Sequence, residues 1–291
     1  MLHNLHQLQI PKKMNRPLDW NQATAEQIKG IRGVCLDIDD TLSTSGKLTS
    51  EAFCALWKLK EAGFVVVPVT GRPAGWCDHI ARFWPVDAVV GENGAFSFFM
   101  HQFMNQKIRK RIDTPSGSTP EVLKKKLSQL AQKIQSEFPQ VMWASDQAYR
   151  EYDLAIDVYE DVKPWSLEAI QKLLKICHQE KAHAKLSSVH VNAWFGDYDK
   201  QKGFTHWLLQ GAPGCTQPVP SKEEWIYIGD SPNDEPMFSY FKFSVGVSNL
   251  KPYLDQLNFL PTWLTVSPSG QGFVEMANRL IEFCNQKKLF E

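Results

Sequence analysis

Two aspartates, Asp37 and Asp39, directly follow a short apolar run, residues 34–36. The run is typical of a strand buried on both faces, and the polar residues after it indicate a loop. Both carboxylates are therefore expected at the carboxyl end of that strand, the edge at which open α/β sheets bind ligands. Carboxylates this close repel each other unless a cation or a shared proton compensates them, and Mg²⁺ prefers such oxygen ligands. Alone, however, such a pair is more often an acidic loop that caps the next helix.

Three other segments place polar residues after an apolar run or at the start of a helix. These are Thr70-Gly71-Arg72 after residues 64–69, Lys202-Gly203 at a predicted helix start, and Gly229-Asp230 followed by Asn233-Asp234 after residues 226–228. Together with the first pair of aspartates, and in this order, they resemble the haloacid dehalogenase superfamily of phosphohydrolases. The combination spans most of the chain and is specific, whereas each segment alone is weak.

The order of predicted elements agrees with this resemblance. Residues 1–100 alternate strand and helix, which is typical of a doubly wound parallel sheet. Residues 101–199 do not keep that alternation, so we predict an inserted α+β domain, with the first domain resuming at residues 200–291. We therefore expect an α/β fold with a doubly wound, Rossmann-like catalytic core and an inserted α+β cap. A cap at this point resembles the subgroup that includes the sugar-phosphate phosphatases.

The resemblance, with the chemistry of carboxylates, implies how the acids act. Asp37 is the candidate nucleophile, because a carboxylate can attack phosphorus to give an aspartyl-phosphate. Asp39 leans to the same side in extended backbone and is the candidate general acid and base. The ligands of Mg²⁺ would be Asp37, the backbone carbonyl of Asp39, and Asp230. The superfamily's phosphatases carry an acid at the position of Asp39, whereas its dehalogenases do not.

The other polar residues are assigned by the same resemblance. Thr70 would bind phosphate oxygens together with the amide of Gly71, which lets the backbone approach closely. Lys202 would neutralise phosphate charge; Lys200 is a rival, but the following Gly203 matches the family pattern and favours Lys202.

Four further residues take supporting or substrate-binding roles in this comparison. Asn233 and Asp234 would support the metal site and hold the lysine. Arg72 and Asn93 would contact the substrate, although an ordinary surface arginine and a turn residue explain these two positions equally well.

Alternation in residues 188–193 predicts a strand of the inserted domain with one polar and one apolar face. The polar face carries Ser188, His190 and Asn192, and the apolar face should pack on the inserted helices. The polar face then looks either to solvent or to the active-site cleft. In the second case His190 and Asn192 would bind a polyhydroxylated leaving group.

Composition limits the classes of partner. The chain of 291 residues has 32 Lys and Arg against 32 Asp and Glu, which argues against nucleic-acid binding. Its six cysteines are scattered, as in a cytoplasmic protein, and no apolar run approaches the roughly 20 residues that span a bilayer. Residues 1–20 lack a secretory pattern and predict a polar extension.

We therefore expect a cytoplasmic, Mg²⁺-dependent phosphomonoesterase, a monomer or small homo-oligomer, that acts on a small phosphorylated metabolite. A sugar phosphate is the best substrate class. Two alternatives stay open: a phosphosugar mutase of the same superfamily, which would have to bind its intermediate again, and a non-catalytic phosphometabolite-binding protein. The presence of every expected catalytic group argues against the second alternative.

Overall fold

The structure is a computed structural model that describes residues 16–288. The predicted polar extension, residues 1–20, lies mostly outside this range. The strands are β1 (Leu18–Asp19), β2 (Gly33–Leu36), β3 (Val65–Pro68), β4 (Ala88–Gly91), β5 (Phe96–Phe103), β6 (Gln106–Asp113), β7 (Asp153–Asp157), β8 (His183–Leu186), β9 (His190–Trp194), β10 (Trp225–Gly229), β11 (Phe243–Gly246) and β12 (Trp263–Leu264). The α-helices are α1 (Ala25–Ile28), α2 (Ser50–Glu61), α3 (Ala74–Phe83), α4 (Pro120–Glu137), α5 (Leu167–Gln179), α6 (Lys200–Leu209), α7 (Glu235–Tyr240) and α8 (Ser269–Lys288).

The central sheet has six parallel strands in the order β1-β12-β11-β10-β2-β3. Its strands are apolar on both faces. In β2, Val34 and Leu36 pack with α2 and α8, whereas Cys35 packs on the opposite face with α6 and α7. Helices therefore cover both sides, and the predicted doubly wound α/β fold is confirmed.

Further strands lie at both ends of this sheet. At one end β1 pairs in parallel with β12 and forms the edge. At the other end, a parallel bridge between Val69 and Val90 places β4 beside β3. The hairpin of β5 and β6 pairs antiparallel with β4. Our division of the chain at residues 101 and 199 stays a proposal, and this pairing favours a start of the insertion after Asp113.

Residues 114–199, here called the inserted segment, contain α4, β7, α5, β8 and β9. The three strands form an antiparallel sheet in the order β7-β9-β8. One face, with Ile156, Val158, Val191 and Ala193, packs on α4 and α5 as the alternation predicted. The opposite, polar face of the sheet is therefore not covered by these two helices.

The strand predicted from the alternation in residues 188–193 begins only at His190, because the chain turns before it. The hydroxyl of Ser187 accepts hydrogen bonds from the backbone N–H groups of Val189 and His190. This turn separates β8 from β9 and places Ser188 outside both strands. Within residues 16–288, none of the helices combines the length and apolar character that a bilayer crossing requires.

Candidate active site

Asp37, Thr70 and Asp230 lie together at the carboxyl end of the central sheet. Asp37 follows β2, and its backbone N–H donates to the carbonyl of Ile228 at the end of β10. Thr70 lies two residues beyond β3, which pairs with β2 on its other side. All three side chains are buried. The parallel register thus gathers residues that are 33 to 193 positions apart in the sequence.

The carboxylates of Asp37, Asp230 and Asp234, here called the carboxylate cluster, each offer an oxygen within 4.8 Å of the others. Burial, with the nearby charge of Asp234, raises the pKa of Asp37 to about 7, although Lys200 opposes the rise. Burial and the same repulsion hold the pKa of Asp230 well above its ordinary range. Buried oxygen ligands with uncompensated repulsion fit a divalent cation.

The two oxygens of Asp234 already have partners. Oδ1 accepts from the Tyr227 hydroxyl at 2.6 Å and from Lys200 Nζ at 2.7 Å. Oδ2 accepts from the backbone N–H groups of Asp230, at 2.9 Å, and Ser231, at 3.2 Å. Asp234 is therefore well placed to hold Lys200 and the Asp230 loop, as the sequence suggested. Asp37 and Asp230 are left as the carboxylates better placed to bind a cation.

Lys200, and not the favoured Lys202, reaches this site. Lys200 is 2% exposed, and its Nζ lies 3.0 Å from Asp37 Oδ1. Burial alone would lower the pKa of Lys200, but the carboxylates of Asp234 and Asp37 outweigh it and raise that pKa. The side chain of Lys202 is 44% exposed and pairs with Asp197 on the surface.

The reason for this correction is helical geometry. Asp199 caps α6 by accepting from the N–H of Lys202, so Lys200 is the first helical residue. Two residues further on, a helix has turned by about 200°, so Lys202 faces away. Gly203, which had favoured Lys202, instead lies against the backbone of Gly94: a Cβ there would come within 2.4 Å of the Gly94 Cα.

Thr70, Gly71 and Asn93 form a tight polar corner beside the carboxylate cluster. The hydroxyl of Thr70 accepts from the backbone N–H of Arg72 at 3.0 Å. A Cβ on Gly71 would lie 3.3 Å from Asn93 Nδ2 and 3.4 Å from Asn192 Oδ1. Asn93 Nδ2 is buried and has no hydrogen-bond partner among the described residues. The corner thus holds an unused donor where an anionic ligand could accept.

Arg72 makes ion pairs with three carboxylates. Its Nε and Nη2 bind Asp39, with contacts of 2.7 to 3.0 Å. Its Nη1 and Nη2 also bind Glu160 of the inserted segment, at 3.3 and 2.6 Å, and Nη1 binds Asp146 at 3.3 Å. The ring of Trp76 lies 4.5 Å from the guanidinium carbon. Arg72 is therefore buried and not the surface arginine that we considered as an alternative.

Arg150 extends these pairs to the polar face of the inserted sheet. It binds Asp146 and Asp153, each at 3.0 Å, and donates to the carbonyl of Gly71 at 2.8 Å. Asn192 donates to Asp153 at 2.8 Å. The linked charged residues are here called the arginine cluster. They are Asp39, Arg72, Asp146, Arg150, Asp153 and Glu160.

A small cavity joins the two clusters, and it is enclosed by core and inserted residues together. The free space is about 10 Å³, or room for about one water molecule. His190 and Asn192 lie in its wall opposite Asp37 and Asp39, so they do face the cleft. The cavity is lined by Asp37, Asp39, Gly71, Arg72, Ser187, Val189, His190, Asn192 and Asn233.

A second cavity, of about 360 Å³, shares Asn233 with the first and is also lined by Lys200. Lys185, Lys202 and His183 line it together with Trp194. Sequence reasoning did not find this cavity, nor the roles of Asp146, Arg150 and Glu160 in the first one. These residues lie in turns and loops, where no periodic pattern points to a partner.

Residues 34–153 match the family described as haloacid dehalogenase-like hydrolase. No curated protein sequence matches the chain. Solved structures similar in fold include Thermoplasma acidophilum protein 0175, which is 17% identical with a TM-score of 0.64 over 87% of this chain and 99% of the other. A protein from Plasmodium vivax described as a HAD/COF-like hydrolase is 18% identical, with a TM-score of 0.62 over 90% of this chain and 98% of the other.

A third similar structure is the sucrose-phosphatase of Synechocystis sp. PCC6803 in complex with sucrose and phosphate. It is 14% identical and gives a TM-score of 0.57 over 85% of this chain and 97% of the other. At these identities the solved structures establish only the fold. The family match is a similarity in sequence, and its range, residues 34–153, includes Asp37, Asp39 and Thr70. Residues 34–153 therefore match the sequence of a haloacid dehalogenase-like hydrolase, as the resemblance predicted, and the chain shares its fold with these solved structures.

Proposed function

We propose that this protein is a Mg²⁺-dependent phosphomonoesterase that acts on a small phosphorylated metabolite through an aspartyl-phosphate on Asp37. The observation that carries the proposal is the contact of Asp37 with Lys200 beside Asp230, with the Asp39 side chain in the same cavity wall. This arrangement brings a nucleophile, a fixed positive charge, a cation-binding carboxylate and a proton carrier together at one edge of the sheet.

Asp37 would act first. One of its carboxylate oxygens forms a bond to phosphorus, the bond from phosphorus to the ester oxygen breaks, and the leaving oxygen takes a proton from Asp39. Water then attacks the phosphorus of the acyl-phosphate while Asp39 accepts a proton from it. Inorganic phosphate leaves, and the Asp37 carboxylate is restored.

The other residues bring substrate and nucleophile together. Lys200, with its charge fixed by burial between two carboxylates, offsets the negative charge of the phosphoryl group. The amides of Gly71 and Asn93 are near enough to this corner to donate to phosphate oxygens. Asp37, Asp230 and the carbonyl of Asp39 would hold Mg²⁺, whose charge reduces the repulsion between nucleophile and phosphate.

The inserted segment is suited to choose the leaving group. His190 and Asn192 present an imidazole and an amide to the cavity, and both are nearly fully buried. Such groups suit hydroxyl-rich molecules, so a sugar phosphate is our preferred substrate class. The similar structure of sucrose-phosphatase, which binds sucrose and phosphate, supports this choice. A cavity of about 10 Å³ also requires the inserted segment to move when a substrate enters.

The test is a screen of phosphorylated metabolites in the presence of Mg²⁺, with release of inorganic phosphate as the measurement. We expect turnover of at least one sugar phosphate and its loss in excess chelator. Hydrolysis that continues undiminished in chelator would contradict the role of Mg²⁺. Binding of phosphate esters without any turnover would contradict the proposal itself. Cytoplasmic location and a monomeric or small homo-oligomeric state stay predictions.

A further inference from the structure

Arg72 is the arginine in the lining of the first cavity. Every N–H group of its guanidinium already has a carboxylate partner, so none is left for a ligand. Arginine has five N–H donors. In Arg72 the Nε and one Nη2 hydrogen face Asp39, the second Nη2 hydrogen faces Glu160, and the two Nη1 hydrogens face Asp146 and Glu160. An acidic group of a substrate would therefore have to displace one of these carboxylates.

Glu160 lies in a turn that hydrogen bonds to Asp157 hold together. The buried carboxylate of Asp157, at the end of β7, accepts from the backbone N–H groups of Tyr159, Glu160 and Asp161 at 2.9 to 3.2 Å. The turn presents the Glu160 carboxylate to Arg72, and His190 Nε2 lies 2.8 Å away on the other side. Contact with His190 and Arg72 lowers the pKa of Glu160 to about 2, so Glu160 is ionised near neutral pH.

Negative charge exceeds positive charge in the arginine cluster. Four carboxylates, those of Asp39, Asp146, Asp153 and Glu160, surround only two guanidinium groups. The side chains beyond Asp39 and Arg72 that face the leaving-group side of the cavity are Ser187, Val189, His190, Asn192 and Asn233. Serine and the two asparagines are neutral hydrogen-bonding groups, which bind hydroxyls well and do not compensate an anion. The imidazole of His190 already faces the carboxylate of Glu160, with Nε2 at 2.8 Å.

We propose that Glu160 is a specificity-determining residue: by filling the N–H groups of Arg72 it restricts the enzyme to phosphate esters whose leaving group carries no second negative charge. This inference rests on the proposed function and narrows its substrate class to uncharged, hydroxyl-bearing leaving groups. Glu160 does not line the cavity, so it acts through Arg72 and His190 as a positioning residue.

The test compares two esters that share a carbon skeleton. Glycerol 3-phosphate has a hydroxymethyl group where 3-phosphoglycerate has a carboxylate. We expect the wild-type kcat/KM to favour glycerol 3-phosphate by at least about tenfold, the range over which one contact discriminates. In Glu160→Gln the preference should fall by about fivefold or more, mainly through a lower KM for 3-phosphoglycerate.

Two further variants separate this effect from a general disturbance of the fold. Asp161→Asn removes the adjacent exposed carboxylate, which does not contact Arg72, and it should keep the wild-type preference. Asp146→Asn removes another partner of Arg72 and should shift the preference in the same direction as Glu160→Gln. A shift of equal size in Asp161→Asn would overturn the proposal.

p-Nitrophenyl phosphate serves as a third ester that reports whether the catalytic machinery works. If it is hydrolysed while the wild-type enzyme prefers 3-phosphoglycerate, or while Glu160→Gln and Asp146→Asn leave the preference unchanged, the inference is wrong and the proposed function stands. The inference would also be wrong if Lys185→Gln abolished hydrolysis of 3-phosphoglycerate. The carboxylate of that ester would then bind in the second cavity, which Lys185 lines. Failure of all three esters, together with failure of every sugar phosphate in the metabolite screen with Mg²⁺, would refute both proposals together.

Discussion

The carboxylate cluster and the arginine cluster meet in one cavity, but they are built in different ways. The carboxylate cluster comes from the ends of neighbouring parallel strands, whose register fixes Asp37 beside Asp230. The arginine cluster joins a core loop to the turns of the inserted segment. Its ion pairs from Arg72 to Asp146 and Glu160 therefore exist only while the two parts are in contact.

This difference separates the chemistry from its selectivity. Residues on the sheet edge keep their positions whether or not the inserted segment moves, so they suit the steps common to every phosphate ester. Arg72 and Glu160 are brought together by contact of the inserted segment with the core, so they suit the recognition of one leaving group. Variants in the first cluster should therefore affect all substrates alike, and variants on the inserted side should affect substrates unequally.

The largest effect is expected for Asp37→Asn. An amide is nearly the same size as a carboxylate but a poor nucleophile, so turnover should fall by at least about 10⁴-fold for every ester. Steady-state phosphate release from a sugar phosphate and from p-nitrophenyl phosphate measures this, with circular dichroism to confirm the fold. Activity within tenfold of wild type on either ester would refute the assignment of the nucleophile.

Lys200→Met should have the next largest effect. Loss of the charge that contacts Asp37 and Asp234 should lower kcat by roughly 10²–10³-fold for both esters. The variant also leaves buried carboxylates without their partner, so its thermal unfolding midpoint should fall. Both kcat and the unfolding midpoint would be measured.

Lys202→Met is the matched control, because it removes the same charge two residues away from an exposed ion pair with Asp197. Surface pairs contribute little, so its activity should stay within about twofold of wild type. The reverse ranking of the two variants would restore Lys202 as the phosphate-site lysine.

The sequence alone predicts the parts of this site that depend on local patterns, and it fails where a contact joins residues far apart in the chain. Apolar runs end at residues 36 and 228 within the chain itself, so the acids after them could be placed at one sheet edge without a structure. Lys200 could not be separated from Lys202, because Gly203 was interpreted as part of a catalytic pattern and in fact packs on Gly94.

The inserted segment was harder to predict for a physical reason. The alternation in β9 correctly placed His190 and Asn192 on one face, since period-2 alternation depends on local backbone geometry. Asp146 and Glu160, the partners of Arg72 in the inserted segment, lie 74 and 88 residues further along the chain. No local sequence pattern indicates contacts between residues so far apart. The turn at Ser187 was missed because Ser188 and Val189 continue the polar–apolar alternation of the strand that follows.

The carboxylate cluster also predicts how stability depends on pH when no divalent cation is present. Burial raises the pKa of Asp37 from its ordinary value of 3.8 to about 7, so between these values the folded state binds more protons than the unfolded chain. The free energy of unfolding should therefore fall as pH rises through this window, on the order of a few kcal/mol.

Calorimetry at several pH values in chelator measures this decline in stability. Mg²⁺ should reduce the decline because it binds the ionised form. A midpoint that rises across the window, or no effect of Mg²⁺, would contradict the prediction, and Asp37→Asn should flatten the curve.

The smallest effects, and the most selective, are expected for His190→Ala and Asn192→Ala. Both side chains reach the cavity from the inserted sheet, but neither contacts Asp37 or Lys200. Each substitution should lower kcat/KM for the preferred sugar phosphate by roughly 1–3 kcal/mol, because hydroxyls of the leaving group lose a buried partner. A small aryl phosphate makes no such hydrogen bonds, so its kcat/KM should barely change.

Asn192→Asp is the control variant of the same size. It replaces the amide that donates to Asp153 by a second carboxylate, so it should be at least as damaging as Asn192→Ala. Equal losses on both esters would mean that the inserted sheet acts on the common chemistry, and the contrast between the two clusters would then fail.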